Sequence, residues 1–192
     1  MNDLIKELRE FTGAGILEIK NALSESGNDK DKAVDLLRKK GALKAGKKAD
    51  RVANEGIVES YIHPGARVGV LVEVNCETDF VARTEDFKQL AKDLAIHIAA
   101  ANPLYVGIND VPVEVVEKEK EIYKEQVKDK PEEVANKILE GKIAKYYEDA
   151  CLLEQTFVKN PDQKIKDLLS QAVSKMGENI QVRRFARFVL GN

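Results

Sequence analysis

The residues with the clearest potential for chemistry stand where a predicted strand meets a turn. Apolar and polar residues alternate up to Glu77, and the inward positions of this strand are Val70, Val72, Val74 and Cys76. The strand should end near Glu77 and leave Thr78-Asp79-Phe80-Val81 on the turn before the next helix. There, Phe80 either folds back into the core, as most large apolar residues do, or projects as a wedge that enters a partner protein.

Cys76 is a candidate nucleophile, with His63 or His97 as its base. Its side chain, however, shares the strand face of three valines, where a thiolate is poorly solvated and the pKa of the thiol is raised. We therefore expect no catalysis at Cys76, and we expect Cys76 and Cys151 to be reduced core thiols. We interpret His97 as a satisfied histidine at the surface or edge of a helix. No spacing of His, Cys, Asp and Glu indicates a metal site.

A glycine-containing run from residue 41 to residue 48 imitates a phosphate-binding loop. It reads Gly-Ala-Leu-Lys-Ala-Gly-Lys-Lys and contains the Gly-x4-Gly-Lys part of that motif. Lys48, however, replaces the Ser or Thr that would bind Mg²⁺, and no buried strand precedes the run. We interpret the run as a solvated linker and expect that this chain itself binds no nucleotide and needs no cofactor.

The overall charge gives no field that would hold the chain on nucleic acid or on a membrane. The sequence has 31 basic and 33 acidic residues, for a net charge of −2. Arg183, Arg184 and Arg187 alternate with Phe185 and Phe188, and we interpret them as strand residues whose stems cover apolar surface. No apolar run approaches the length of a membrane span or a signal segment, so we expect a cytoplasmic protein.

The first 40 residues predict a small domain of three short helices. Asn28 or Asp29 can cap the third helix, which should end at Gly41. The inward residues of the three helices are Leu4, Ile5, Leu8, Ile16, Ile19, Ala22, Leu23, Ala33, Val34, Leu36 and Leu37. Residues 41–54 are rich in Ala and Lys without a continuous apolar stripe, and they predict a linker.

Residues 55–192 predict a core domain with a small antiparallel sheet. Strands at residues 55–62 and 67–77 are joined by the turn sequence His63-Pro64-Gly65-Ala66. A third strand should follow near the end of the chain, with one apolar face formed by Ile180, Val182, Ala186, Phe188 and Leu190. The predicted fold class is therefore α+β, with the sheet packed on helices.

Helices fill the rest of the core domain. Thr84 should cap one helix, and Asp162 should cap another that ends at Gly177. Between them, residues 113–150 predict a projecting helical hairpin with a thin apolar stripe. Gly141 should bend or break its second arm.

Two long runs give the sequence a resemblance to a known family. Residues 73–83 read Glu-Val-Asn-Cys-Glu-Thr-Asp-Phe-Val-Ala-Arg, which resembles the core signature of elongation factor Ts. Residues 8–23 read Leu-Arg-Glu-Phe-Thr-Gly-Ala-Gly-Ile-Leu-Glu-Ile-Lys-Asn-Ala-Leu and resemble the amino-terminal signature of the same family. The resemblance covers nearly the whole chain, which holds one copy of a core subdomain that longer members carry twice.

The resemblance implies a binding protein, not an enzyme. Members of this family promote release of GDP from elongation factor Tu, and they begin with a three-helix domain of the ubiquitin-associated (UBA) type. By match of motif, Phe80 is the wedge that enters the GTPase domain and displaces the elements that hold Mg²⁺. Asp79 would make an orienting polar contact, and Thr78 and Val81 would support the turn.

The resemblance also implies secondary contacts and a quaternary structure. Contacts with elongation factor Tu carry over to Arg9, Ile16 and Leu17, and to Met176 and Gly177, although Met176 also fits the buried stripe of its helix. The expected partners are GDP-bound and nucleotide-free elongation factor Tu, bound by a homodimer in a two-plus-two complex. A helical adaptor for a peptide or ubiquitin-like protein is the alternative, and an RNA-binding module is a third.

Overall fold

The computed structural model shows an α+β protein, described over residues 2–191. Met1, the first residue of the predicted domain 1–40, and Asn192, the last residue of the predicted domain 55–192, lie outside the described residues. The helices are α1 (Asn2–Thr12), α2 (Ile16–Glu25), α3 (Lys30–Gly46), α4 (Asp79–Ala82), α5 (Glu85–Ala101), α6 (Val113–Glu125), α7 (Glu132–Ala150) and α8 (Ile165–Met176). The strands are β1 (Glu55–Ile62), β2 (Val68–Cys76) and β3 (Gln181–Val189). Contacts divide the chain into two units, Met1–Ile96 with Lys166–Asn192, and His97–Ile165.

Helices α1 to α3 share one small apolar core. Its buried residues are Ile5, Leu8, Ala14, Ile19, Ala22, Leu23, Ala33, Val34 and Leu37. Asp29 caps α3, since its side chain accepts a hydrogen bond from the backbone N–H of Lys32 at 3.1 Å. The predicted stripes are therefore correct in most positions, with Ile16 as the exception described below.

Gly41 does not end α3, which continues to Gly46, so the predicted helix end is wrong. Gly41 instead lies where α3 closely approaches α8. A Cβ at this position would stand 3.3 Å from the Ser174 Oγ of α8. Good helix formers follow, and one glycine costs a helix only about 1 kcal/mol relative to alanine.

The three strands form one antiparallel sheet in the order β1-β2-β3. The inward face of the central strand is fully covered, and its buried residues are Val70, Val72, Val74 and Cys76. Thr84 caps α5 by accepting a hydrogen bond from the Phe87 N–H at 3.3 Å. All five residues predicted for the buried face of α5, Phe87, Leu90, Ala91, Leu94 and Ile98, are buried, and Ala95, His97 and Ala99 are buried as well.

A β-bulge at Arg183 overturns the predicted faces of β3. Val74 pairs with Val182 whereas Glu73 pairs with Arg184, so Arg183 is an extra residue in the strand. Side chains after the bulge therefore exchange faces. Phe185 now lies opposite buried Val72, on the inner face. The outer face receives Ala186, Phe188 and Leu190, which had been predicted to share a face with Ile180 and Val182.

The unit His97–Ile165 contains the predicted helical hairpin, in which α6 contacts α7. Helix α7 runs unbroken through Gly141, so the predicted break is wrong. The single glycine costs about 1 kcal/mol, which a helix of 19 residues absorbs. Asp162 does not cap α8, which begins at Ile165. Instead, the Asp162 N–H donates to the Asn160 Oδ1 at 3.2 Å, in a turn before the helix.

His97 is fully buried, so its predicted place at a helix surface is wrong. Its Nδ1 accepts a hydrogen bond from the Val158 N–H at 3.3 Å, which leaves the proton on Nε2 to be donated to the Gln155 Oε1 at 2.9 Å. Burial lowers the pKa of His97 below its ordinary value. A protonated ring would turn a second N–H toward the Val158 N–H, so the folded protein holds the neutral form.

This burial predicts acid sensitivity. Because the folded pKa of His97 is lowered, the unfolded chain takes up the proton first as pH falls below about 6.5. The free energy of unfolding should then decrease by up to about 1.4 kcal/mol per pH unit. Urea unfolding between about pH 7.5 and pH 5.5 measures this slope. His97→Gln should flatten it and His63→Gln, at an exposed position, should not. A wild-type slope that persists in His97→Gln would contradict the assignment.

Candidate partner-binding site

The segment after β2 is a one-turn helix. The strand ends at Cys76, and Thr78 adopts an extended conformation as the N-cap of α4. Its hydroxyl oxygen accepts a hydrogen bond from the Val81 N–H at 3.4 Å. The sequence predicted a turn here, and the structure corrects it to a capped helical turn that connects β2 to α5.

Phe80 projects from this turn into solvent, with 79% of its surface exposed. The same turn is anchored on its other side, where Ala82 is buried and Val81 is half-buried. The possibility that Phe80 folds back into the core is therefore excluded. A large aromatic side chain held outward on an ordered turn can contribute substantial binding energy to a partner that buries it.

Asp79 is half-buried beside Phe80 and forms an ion pair within the turn. Its Oδ2 lies 2.7 Å from the Arg83 Nη2, one helical turn later. Exposed pairs of this kind contribute little to stability. The pair does orient the Asp79 carboxylate, and a partner that offers hydrogen-bond donors can compete for it.

The five other predicted contact residues lie outside the α4 turn, on α1, at the start of α2 and at the end of α8. Arg9 is exposed on α1, and Ile16 and Leu17 begin α2, where they are 48% and 71% exposed. Ile16 therefore does not belong to the buried stripe in which its spacing placed it. Met176 is half-buried at the end of α8, so it lies between a core position and a contact position.

Gly177 is exposed and has a left-handed φ of +80°. This conformation ends α8 and turns the chain back toward the end of β2. The next residue, Glu178, accepts hydrogen bonds from the Glu77 N–H and the Thr78 N–H, at 3.1 and 3.0 Å. Asn179 donates its own backbone N–H to the Glu77 Oε1 at 2.6 Å.

Glu178 and Asn179 were missed as site residues. They stand directly after Met176 and Gly177, and a polar pair behind a helix-ending glycine was the available signal. Their contacts join residues about a hundred positions apart, which no local pattern reveals.

The structure gives Cys76 the environment of a core thiol. The side chain is fully buried and donates to the Thr78 carbonyl oxygen at 3.1 Å. Burial, with the nearby Glu178 charge as a smaller cause, raises the pKa of the Cys76 thiol to about 11. Burial likewise raises the pKa of Cys151 to about 11. A thiolate nucleophile at either position is therefore disfavoured near neutral pH.

Two features are absent from the described part of the chain. Among residues 2–191 no group of three or more His, Cys, Asp and Glu side chains is placed to hold a metal ion. Over the same residues no helix is long and apolar enough to cross a membrane. The run from Gly41 to Lys48 lies on the end of α3 and the turn after it, which is not the strand-loop-helix geometry of a phosphate-binding loop.

Comparisons with known proteins point to one family. The family model described as Elongation factor TS matches residues 17–192. Elongation factor Ts of Thermotoga petrophila is 58% identical to this chain over 189 residues, which cover 98% of the chain and 95% of that protein. The Thermotoga maritima protein of the same name gives the same identity and coverage. Elongation factor Ts of Thermodesulfovibrio yellowstonii is 59% identical, covering 98% of the chain and 94% of that protein.

Proposed function

The chain belongs to the elongation factor Ts family, and from that membership we propose that it is a guanine-nucleotide exchange factor for elongation factor Tu. It acts in translation elongation by binding the GDP-bound protein and promoting GDP release. It does so as a binding protein, without catalysing a chemical reaction. The proposed location is the cytoplasm, and no direct contact with nucleic acid is part of the mechanism.

The α4 turn carries the proposed mechanism. Phe80 enters the GTPase domain of elongation factor Tu as a wedge, with Asp79 making the orienting polar contact and Thr78 and Val81 holding the turn. The wedge displaces the elements of that domain that hold Mg²⁺. Losing the ion removes charge neutralisation from the β-phosphate of GDP, which weakens nucleotide binding. The supporting observation is the 79% exposure of Phe80 on a turn whose other side is buried.

Exchange of this kind is a thermodynamic coupling. A bound protein shifts an equilibrium only by its difference in affinity for two states. The chain must therefore bind nucleotide-free elongation factor Tu more tightly than the form that holds GDP and Mg²⁺. The same coupling factor must weaken GDP binding in the complex.

The test of this function is release of a fluorescent GDP analogue from elongation factor Tu in stopped flow. Adding the chain with excess unlabelled GDP should raise the release rate until the rate saturates with chain concentration. Elongation factor Tu mixed with bovine serum albumin is the control. A release rate that the chain leaves unchanged would refute the proposal.

Helices α1 to α3 form a UBA-like domain in this proposal, and the domain docks the chain on elongation factor Tu. Exposed Leu17 at the start of α2 supports this role, together with exposed Ile16 beside it in sequence and exposed Arg9 on α1. We expect Leu17→Ala to raise the concentration at half-saturation about tenfold, in line with an interface truncation of just over 1 kcal/mol. The saturating rate should stay near that of the wild type. Leu43→Ala, an equally exposed leucine on α3, is the matched control. Equal half-saturation for both variants would contradict the docking role.

The outer face of the sheet is the proposed homodimer interface. Its exposed apolar side chains are Val58, Ile62, Leu71, Ala186, Phe188 and Leu190. An apolar sheet face of this kind is uncommon on a monomer, and a two-fold axis lets the same face serve both chains. The dimer would then bind two copies of elongation factor Tu in a two-plus-two complex. The single copy of the core subdomain supports this arrangement.

A further inference from the structure

We propose that Glu178 is the positioning residue that holds the α4 turn in the conformation that presents Phe80. This role rests on the exchange function proposed above. Glu178 lies in the segment that joins α8 to β3, and it is half-buried. Its carboxylate contacts the turn that follows β2.

Three donors from the turn converge on the Glu178 carboxylate. Its Oε2 accepts from the Glu77 N–H at 3.1 Å and the Thr78 N–H at 3.0 Å. Its Oε1 accepts from the Thr78 hydroxyl at 2.7 Å. Hydrogen bonds to an ionised acceptor are stronger than those between neutral groups. The carboxylate therefore fixes the backbone of the N-cap residue and the side chain of that residue together.

The Thr78 hydroxyl links Glu178 to the helical turn itself. A hydroxyl has one proton to donate, and Thr78 gives it to Glu178. Its oxygen accepts the Val81 N–H at 3.4 Å, which is the capping bond of α4. The chain of contacts thus runs from Glu178 through Thr78 to Val81, the residue after Phe80.

Glu178 is itself held on both sides. Gly177 supplies the left-handed conformation that turns the chain out of α8. Asn179 donates its backbone N–H to the Glu77 Oε1, and its side-chain Nδ2 donates to the carbonyl oxygens of Ala49 and Arg51, at 3.2 and 2.8 Å. The Glu77 carboxylate therefore accepts a hydrogen bond from the segment that contains Glu178, and the Glu178 carboxylate accepts one from the Glu77 N–H. These contacts lie within the unit formed by Met1–Ile96 and Lys166–Asn192, which also contains α4. The residues that support the turn therefore belong to the same unit as the turn itself.

A supported turn matters for exchange because a wedge must keep its shape while it displaces part of the partner. An isolated helical turn of four residues has little stability of its own. Without the carboxylate, the turn samples other conformations, and ordering it again on the partner reduces the free energy available for displacement.

The test compares three variants in the GDP-release assay. We expect Glu178→Ala to lower the saturating release rate about tenfold, because the variant loses the charge-assisted hydrogen bonds that hold the turn. Glu178→Gln should fall between Glu178→Ala and the wild type, because its amide offers one acceptor oxygen to three donors. The concentration at half-saturation should change less than the rate. Glu133→Ala, at an exposed glutamate on α7, is the matched control. A wild-type saturating rate for Glu178→Ala would overturn the role.

Amide hydrogen exchange of the free protein tests the same role without elongation factor Tu. In Glu178→Ala the Thr78 and Val81 amides should exchange faster, while the Val72 amide in the sheet keeps its wild-type rate. Unchanged Thr78 and Val81 amides, or faster exchange throughout the sheet, would overturn a role specific to the turn. If the wild-type chain fails to promote GDP release from elongation factor Tu, the exchange function fails, and the amide rates still decide whether Glu178 holds the turn.

Discussion

Replacing Phe80 with alanine should slow GDP release from elongation factor Tu by about 30-fold while leaving the fold intact. Truncation of a central aromatic anchor costs about 2 kcal/mol or more of binding, and that energy corresponds to the rate change. The exposure of Phe80 means that few of its atoms contact the rest of the chain. Its loss should therefore leave the melting temperature within about a degree of the wild type.

Phe87→Ala is the comparison that separates a wedge from a core residue. Phe87 is fully buried on α5, and its truncation should cost about 3 to 5 kcal/mol of stability. Thermal unfolding of both variants, with GDP release at saturating concentration, gives the two quantities together. A large fall in melting temperature for Phe80→Ala, with unchanged GDP release, would show that Phe80 supports the fold and not the partner contact.

A charge at Phe188 should convert the proposed homodimer into monomers. Phe188 is 68% exposed on the outer face of the sheet, and a dimer on this face would bury it. An unpaired carboxylate in that interface costs several kcal/mol, so Phe188→Asp should weaken dimerisation more than 100-fold, about 3 kcal/mol. Sedimentation at micromolar concentration measures the change. The monomers should keep the three-helix domain but exchange nucleotide poorly.

Two other positions make this experiment specific. Leu104→Asp places the same charge at an exposed residue outside the sheet and should leave the dimer intact. Phe185→Asp should act differently from Phe188→Asp, because Phe185 lies opposite Val72 on the inner face and its replacement perturbs folding. A wild-type chain that sediments as a monomer and is fully active would refute the dimer.

Local sequence patterns predicted the elements that depend on local chemistry. The predicted limits of β1 match the observed strand, and the Pro-Gly turn predicted the hairpin to β2. The Thr84 cap and the buried face of α5 followed from spacing alone. The exposed position of Phe80 was also open to prediction, because β2 ends before Phe80 and its pattern requires no further inward residue.

Three features that local patterns did not predict depend on tertiary contacts. The bulge at Arg183 appears only when β3 is paired with β2, since strict alternation in one strand has no reason to change face. Gly41 fits a helix end by its residue type, but its position beside Ser174 is a tertiary contact that the sequence of α3 does not reveal. The contact of Glu178 with Thr78 joins segments that are distant in sequence, so neither segment predicts it alone.

The proposed exchange function requires that the chain bind two forms of elongation factor Tu with different affinities. Isothermal titration of nucleotide-free elongation factor Tu, and of the form saturated with GDP and Mg²⁺, gives the two dissociation constants. Because an exchange factor can act only through a difference between them, the nucleotide-free form should bind at least about 100-fold more tightly. Phe80→Ala should reduce that ratio. Equal affinities for the two forms would contradict the exchange function.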